Sequence, residues 1–209
     1  MTSRLQKIVF LLLLSPGFAL AGDAEAGKAL YGTCVACHGA NAEGNAALLA
    51  PGLAGQSESY LVRQLWDFKN GRRGADSNDT AGAQMRPMAL TLADGEAIAN
   101  VSAYLASLPA NVPVATIDGN AENGQKQFTS KCGACHGGQG WGNEALYTPR
   151  LTVVGDSYLV RQVQNFQKGI RGAHEDAKFG KQMKMMSILV TDQELNDIAA
   201  FLNAQSREQ

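Results

Sequence analysis

A chain of 209 residues has room for one large domain or two small ones, and its 45% hydrophobic content is that of an ordinary globular protein. Only 7% of the residues are aromatic, thin for two cores of about a hundred residues each, so a non-protein group is expected to fill part of that space. Eighteen basic against nineteen acidic side chains give a formal charge of −1, which excludes a nucleic-acid-binding profile.

Residues 1–21 read as a secretory signal peptide. Arg4 and Lys7 make a positive start, Ile8 to Leu14 an apolar run, and Ala19-Leu20-Ala21 a small-residue cleavage site. The run falls well short of the ~20 residues needed to cross a bilayer, and Ser15, Pro16 and Gly17 interrupt it. No later segment is apolar enough to span, so a soluble mature chain starting near Gly22 is expected, with sixteen basic and nineteen acidic side chains. The charge is uneven: residues 22–111 carry six basic and nine acidic side chains, whereas residues 112–209 carry ten of each.

In residues 22–109 the pattern predicts three helices. The first covers about Ala24 to Tyr31, where Gly27 and Tyr31 share a face; the second covers Glu58 to Lys69, with Tyr60, Gln64 and Phe68 at i, i+4, i+8 and Gly71 as a stop. The third covers Asp94 to Ser107, with Ile98, Val101 and Leu105 on one stripe. Pro109 and Pro113 then break the pattern, and residues 110–118 read as a linker. Residues 119–209 restart the series, with helices expected over 122–128, 156–168 and 192–203. No alternating strand appears.

The second set is a copy of the first at an offset of 98 residues. Tyr60-Leu61-Val62-Arg63-Gln64 recurs as Tyr158-Leu159-Val160-Arg161-Gln162, and the same offset carries Pro51 onto Pro149, Gly71 onto Gly169 and Met85 onto Met183. Two duplicated all-α domains follow.

Each copy contains C-x-x-C-H: Cys34, Cys37 and His38 in the first, Cys132, Cys135 and His136 in the second. This is the attachment pattern of c-type haem, because two thiols three positions apart can form thioethers to one porphyrin while the adjacent His becomes an axial ligand. Two disulfides or a zinc site are the rival readings. Zinc-binding pairs lie roughly 15 to 20 residues apart rather than some 95, and neither rival explains a His after each pair. Two covalently bound haem c groups would also account for the shortage of aromatic residues.

A sixth iron ligand is offered twice in each copy, by Met85 and Met88 and by Met183 and Met186, and the duplication does not choose between the members of a pair. Ordinary core packing is the plain alternative for any one of them.

Each half resembles a class I cytochrome c domain, and the whole resembles the two-haem cytochrome c4 family. The likeness is carried by C-x-x-C-H-G, by Pro51-Gly52-Leu53-Ala54-Gly55-Gln56 and by Tyr60-Leu61-x-x-Gln64-Leu65-x-x-Phe68-x-x-Gly71-x-Arg73, with their second-half counterparts. The resemblance implies Met85 and Met183 as sixth ligands, with Met88 as the alternative in the first half. It further implies that the Pro51 and Pro149 carbonyls accept hydrogen bonds from the ligand imidazoles, and that Leu53 and Leu151 pack on the haem faces. Arg63, Arg161, Tyr60 and Tyr158 are candidates for haem propionates, with a solvated helix face as the alternative for the arginines. Trp141 is expected to pack over the cofactor and His174 to be an exposed loop residue.

The expectation is therefore a periplasmic electron carrier rather than an enzyme. The resemblance implies redox proteins as partners, a quinol-oxidising complex as donor and a terminal haem-copper oxidase as acceptor, with at most peripheral membrane association. The alternative is the cytochrome subunit of a dehydrogenase, such as a flavin-containing sulfide dehydrogenase. A two-haem peroxidase would need an open iron position, which matching methionines in both halves argue against.

Overall fold

The computed structural model describes residues 22–208, so the expected signal peptide lies outside the described residues. Each half contributes five helices. The first half forms α1 (Ala24–Tyr31), α2 (Val35–His38), α3 (Glu58–Lys69), α4 (Thr80–Leu90) and α5 (Gly95–Ser107). The second forms α6 (Ala121–Lys131), α7 (Gly133–His136), α8 (Asp156–Gln167), α9 (Lys178–Ser187) and α10 (Asp192–Gln205). Among the described residues there is no strand, only three short 3-10 turns and the matched isolated bridges Asn45–Ala50 and Asn143–Thr148. The fold is all-α.

Three helices per half match the expected segments; α2, α4, α7 and α9 are additional. The turns α2 and α7 are only four residues long, too short for a periodic signal. Two longer helices, α4 and α9, are broken in sequence by Gly82 and Pro87 and by Gly180, and α4 buries only Gly82 and Ala89. What starts α4 is local: Asp79, itself buried, caps it by accepting from Gly82 N at 3.0 Å.

The first and last helices of each half cross in contact, α1 on α5 and α6 on α10. A glycine makes each crossing possible. A Cβ on Gly27 would stand 1.9 Å from the Asn100 carbonyl oxygen, and one on Gly124 would stand 1.9 Å from that of Asp197. The same two residues receive the start of the crossing helix, since Asn100 Oδ1 accepts from Asp23 N and Asp197 Oδ1 from Asn120 N. Around these crossings lie two separate apolar clusters. One contains Tyr31, Leu61, Ile98, Val101 and Leu105, the other Phe128, Leu159, Leu195, Ile198 and Phe201.

The halves meet through α3 and α8 and the segments that follow them. Arg73 Nη1 donates to Gln64 Oε1 at 2.8 Å and its Nη2 to Gln162 Oε1 at 3.2 Å; Arg171 Nη1 donates to Gln162 Oε1 at 2.7 Å and its Nη2 to Gln64 Oε1 at 2.6 Å. Equivalent residues thus exchange equivalent bonds, as expected when two copies of one domain pack about an approximate two-fold axis. Arg63 and Arg161 extend the pattern by donating to the Tyr147 and Leu49 carbonyls of the opposite half, at 2.8 and 2.7 Å. Leu49 and Tyr147 both hold the left-handed conformation, φ 58° and 55°, which turns those carbonyls outward.

Candidate functional site

The chemistry-bearing residues of each half are gathered by one tight turn. Cys34 and Cys132 each precede a four-residue helix, and their carbonyls accept from the amides of the second cysteine and of the histidine, 3.2 and 2.9 Å in the first half, 3.1 and 3.0 Å in the second. Residues three and four apart on such a turn share a side, so both thiols and the imidazole can address one planar ligand. The turn ends on Gly39 (φ +83°) and Gly137 (φ +77°), a conformation that only glycine holds without strain.

No disulfide joins the four cysteines. Among the described residues no group of three or more His, Cys, Asp or Glu is placed to hold a metal ion.

His38 and His136 are both 6% exposed. His38 Nδ1 donates to the Pro51 carbonyl at 2.9 Å, and His136 Nδ1 lies 3.4 Å from the Pro149 carbonyl. With Nδ1 engaged by a carbonyl, Nε2 is the atom left to ligate, and the carbonyl orients the ring. Burial lowers both imidazoles below the usual histidine range, and the carbonyl contact opposes this in part. The neutral ring favoured by burial is the one with a lone pair to give.

Among the methionines, Met85 on α4 and Met183 on α9 are partly buried, whereas Met88 and Met186 are exposed. Leu53 and Leu151 pack against the first and second apolar clusters, and their amides donate to the carbonyls of Ala42 and Gly140, both at 2.8 Å. Trp141 is 42% exposed, and His174 is exposed, its Nδ1 accepting from Asp176 N.

The Nη atoms of Arg63 and Arg161 hold backbone carbonyls across the interface. Their Nε atoms, with those of Arg73 and Arg86, are buried without a hydrogen-bond acceptor. An unmet buried donor is costly, and the propionates of a haem would supply carboxylates. Exposed apolar side chains in the turns after the cysteines, Leu48, Leu49, Leu146 and Tyr147, likewise suit a large apolar ligand. The residues present fit the group.

Sequence reasoning passed over Arg171 and gave no role to Gln162 or Arg73, although the repeat itself pairs Gln64 with Gln162 and Arg73 with Arg171. It missed Asp156 entirely, which accepts from Thr116 N and Oγ1, Ile117 N and Asn203 Nδ2 at 2.6–2.9 Å. A cavity of about 510 Å³ between the halves, lined by Val62, Arg63, Glu144, Tyr147 and Phe179 among others, touches none of the cysteines, histidines or methionines named above.

A sequence model described as cytochrome c matches residues 24–109 and again 121–206. A cytochrome c4 from Thiocapsa roseopersicina is 31% identical, over 89% of this chain and 94% of its own. The chain belongs to the cytochrome c4 family. A crystal structure of reduced cytochrome c4 from Pseudomonas stutzeri superposes with a TM-score of 0.72 at 28% identity, over 88% of this chain and 98% of that one. A protein named thiosulfate dehydrogenase electron acceptor, from Stutzerimonas stutzeri, is 33% identical over 84% of this chain and 80% of its own. The chain is thus a two-domain, two-haem electron-transfer protein, and its two C-x-x-C-H segments carry two covalent haem c groups.

Proposed function

We propose that the protein is a periplasmic electron carrier, not an enzyme, that takes single electrons from a quinol-oxidising complex and passes them toward a terminal haem-copper oxidase. The observation that carries the reading is the matched pair of buried histidines, each with Nδ1 facing a proline carbonyl beside two cysteines of one short turn. In this assignment Cys34 and Cys37, and Cys132 and Cys135, hold the two haems covalently. His38 and His136 are the fifth ligands and Met85 and Met183 the sixth. Domains 22–109 and 119–209 are joined by the linker 110–118, after removal of residues 1–21.

When bound, haem iron supplies reversible one-electron chemistry, and thioether with imidazole ligation gives a closed, relatively high-potential iron. The chain's own residues do the rest. Burial favours the neutral form of each imidazole, and the proline carbonyls orient it. The partial burial of Met85 and Met183, against the exposure of Met88 and Met186, supports the choice within each pair. The bonds of Arg73 and Arg171 hold the two sites in one unit.

Periplasmic residence is supported by the sequence of residues 1–21, and no helix of the described residues is long and apolar enough to cross a membrane. A second reading, the electron acceptor or cytochrome subunit of a dehydrogenase, is favoured by the relative whose name says it accepts electrons for thiosulfate dehydrogenase. Purification from the native membrane, with reduction by quinol-oxidising membranes on one side and by candidate dehydrogenases on the other, separates the two. A carrier elutes alone and is reduced by the membranes; a subunit co-elutes with its dehydrogenase.

A further inference from the structure

The assignments above leave the outer face of α9 unused. The helix carries Lys178, Lys181 and Lys184 and no carboxylate. At 3.6 residues per turn, positions 178, 181, 185 and 188 fall along one side, and Met183 falls on the opposite side. Burial agrees with that geometry. Lys178 and Lys181 are exposed and Met185 and Ile188 are 71% and 68% exposed, whereas Phe179, Gly180 and Met183 are partly buried and Ser187 is buried.

Neither lysine of this stripe is tied to a carboxylate among the described residues. Lys181 Nζ donates to the Glu175 carbonyl, and Lys178 Nζ stands 5.6 Å from the Phe179 ring. Glu175 and Asp176, both exposed, precede the helix. The counterparts of the stripe on α4 are Thr80, Ala83, Pro87 and Leu90, none of them charged, and Arg86 is the one cation of that helix. The second half is neutral in sum, yet it concentrates cations where the first half has none.

We propose that the outer stripe of α9 is the docking surface for an acidic redox protein, with Met185 and Ile188 as its apolar centre and Lys178 and Lys181 as its charged rim. The inference rests on the electron-transfer reading. Interfaces pair an apolar centre with a polar rim, and Met adapts to differently shaped partners. The lysines steer an acidic partner during encounter. A partner seated there stands one helix width, about 10 Å, from the face that carries Met183.

The test uses the haem-loaded full chain, labelled with ¹⁵N and titrated with an acidic plant-type ferredoxin at low and at high salt. Amide shifts should cluster on α9 and vanish at high salt, and Lys178→Gln with Lys181→Gln should weaken binding about tenfold at low salt. Thr80→Lys with Ala83→Lys, which gives α4 the same two cations, should add a second, weaker site. Shifts centred on α4 in the wild-type protein, or unchanged binding by the α9 double variant, would overturn the proposal. Failure of the underlying reading shows separately, as a sample whose haem absorbance does not respond to reductant.

Discussion

Asp156 and Glu58 stand at the same position of the repeat, the first residue of α8 and of α3, and they do different things. Asp156 is buried and grips the linker through Thr116 and Ile117 while holding Asn203 of α10. Glu58 borders the open cavity between the halves. The linker is therefore fastened by this carboxylate to the second half, while Asn111 ties its beginning to the Ala54 and Glu43 carbonyls of the first. The lesson is that duplication kept the helix crossings and the cysteine turns, whereas divergence acted at the domain edges, in the linker anchor and on the surfaces of α4 and α9.

The comparison breaks most visibly at the cofactor. Cys132→Ala with Cys135→Ala should remove one covalent haem and leave the other, because the halves have separate cores. Intact mass and haem staining would show one remaining group, and loss of both would mean that the halves do not assemble independently. Next in size is the sixth ligand. Met183→Ala should remove the second-half share of the near-infrared sulfur-to-iron band, and Met85→Ala the first-half share. Survival of the band in Met85→Ala with loss in Met88→Ala would move the assignment.

Asp156→Asn should cost about 2 to 3 kcal/mol, the scale of a hydrogen-bonded buried charge, with calorimetry as the measure. Burial raises the Asp156 carboxyl, but the bonds from Thr116, Ile117 and Asn203 outweigh burial and hold it below the usual range. A carboxylate depressed in the folded state contributes stability above its unfolded value of about 3.9, and that contribution is lost as pH falls through the lower folded value. Wild-type protein should therefore shed this part of its stability below about pH 4, and Asp156→Asn should lack it. Equal acid profiles for the two proteins would contradict the linker anchor.

Gly27→Ala and Gly124→Ala should each cost about 1 to 3 kcal/mol by overpacking a helix crossing, and to a similar extent, since both would place a Cβ 1.9 Å from a carbonyl oxygen. Thermal melts test this, and a tolerated alanine in one half alone would show that its crossing can slide. The smallest effect is expected from Arg73→Lys, which keeps the charge and loses the fork that reaches Gln64, Gln162 and the Tyr158 hydroxyl. A loss of about 1 kcal/mol, with unfolding spread over two transitions, would mark a weakened interface.

The helices with apolar stripes were legible in the sequence, as were the duplication and both haem segments, because each rests on spacing along the chain. The Met-bearing helices were not. Thr80–Leu90 contains Gly82 and Pro87 and Lys178–Ser187 contains Gly180, which mask the helical pattern; α4 is started by its Asp79 cap, whereas α9 has no side-chain cap. Asp156 was invisible for a related reason, since its partners Thr116 and Asn203 are 40 and 47 residues away and nothing local marks a carboxylate as buried. The arginines were half legible. Repetition singled out Arg63 and Arg161, but only the packed halves reveal that their Nη atoms clasp carbonyls across the interface.

The account stands on one haem being fixed covalently in each half, and the mass of the intact, denatured mature chain tests this most directly. The predicted mass exceeds that of the polypeptide by two haems. A mass equal to the bare polypeptide would contradict it.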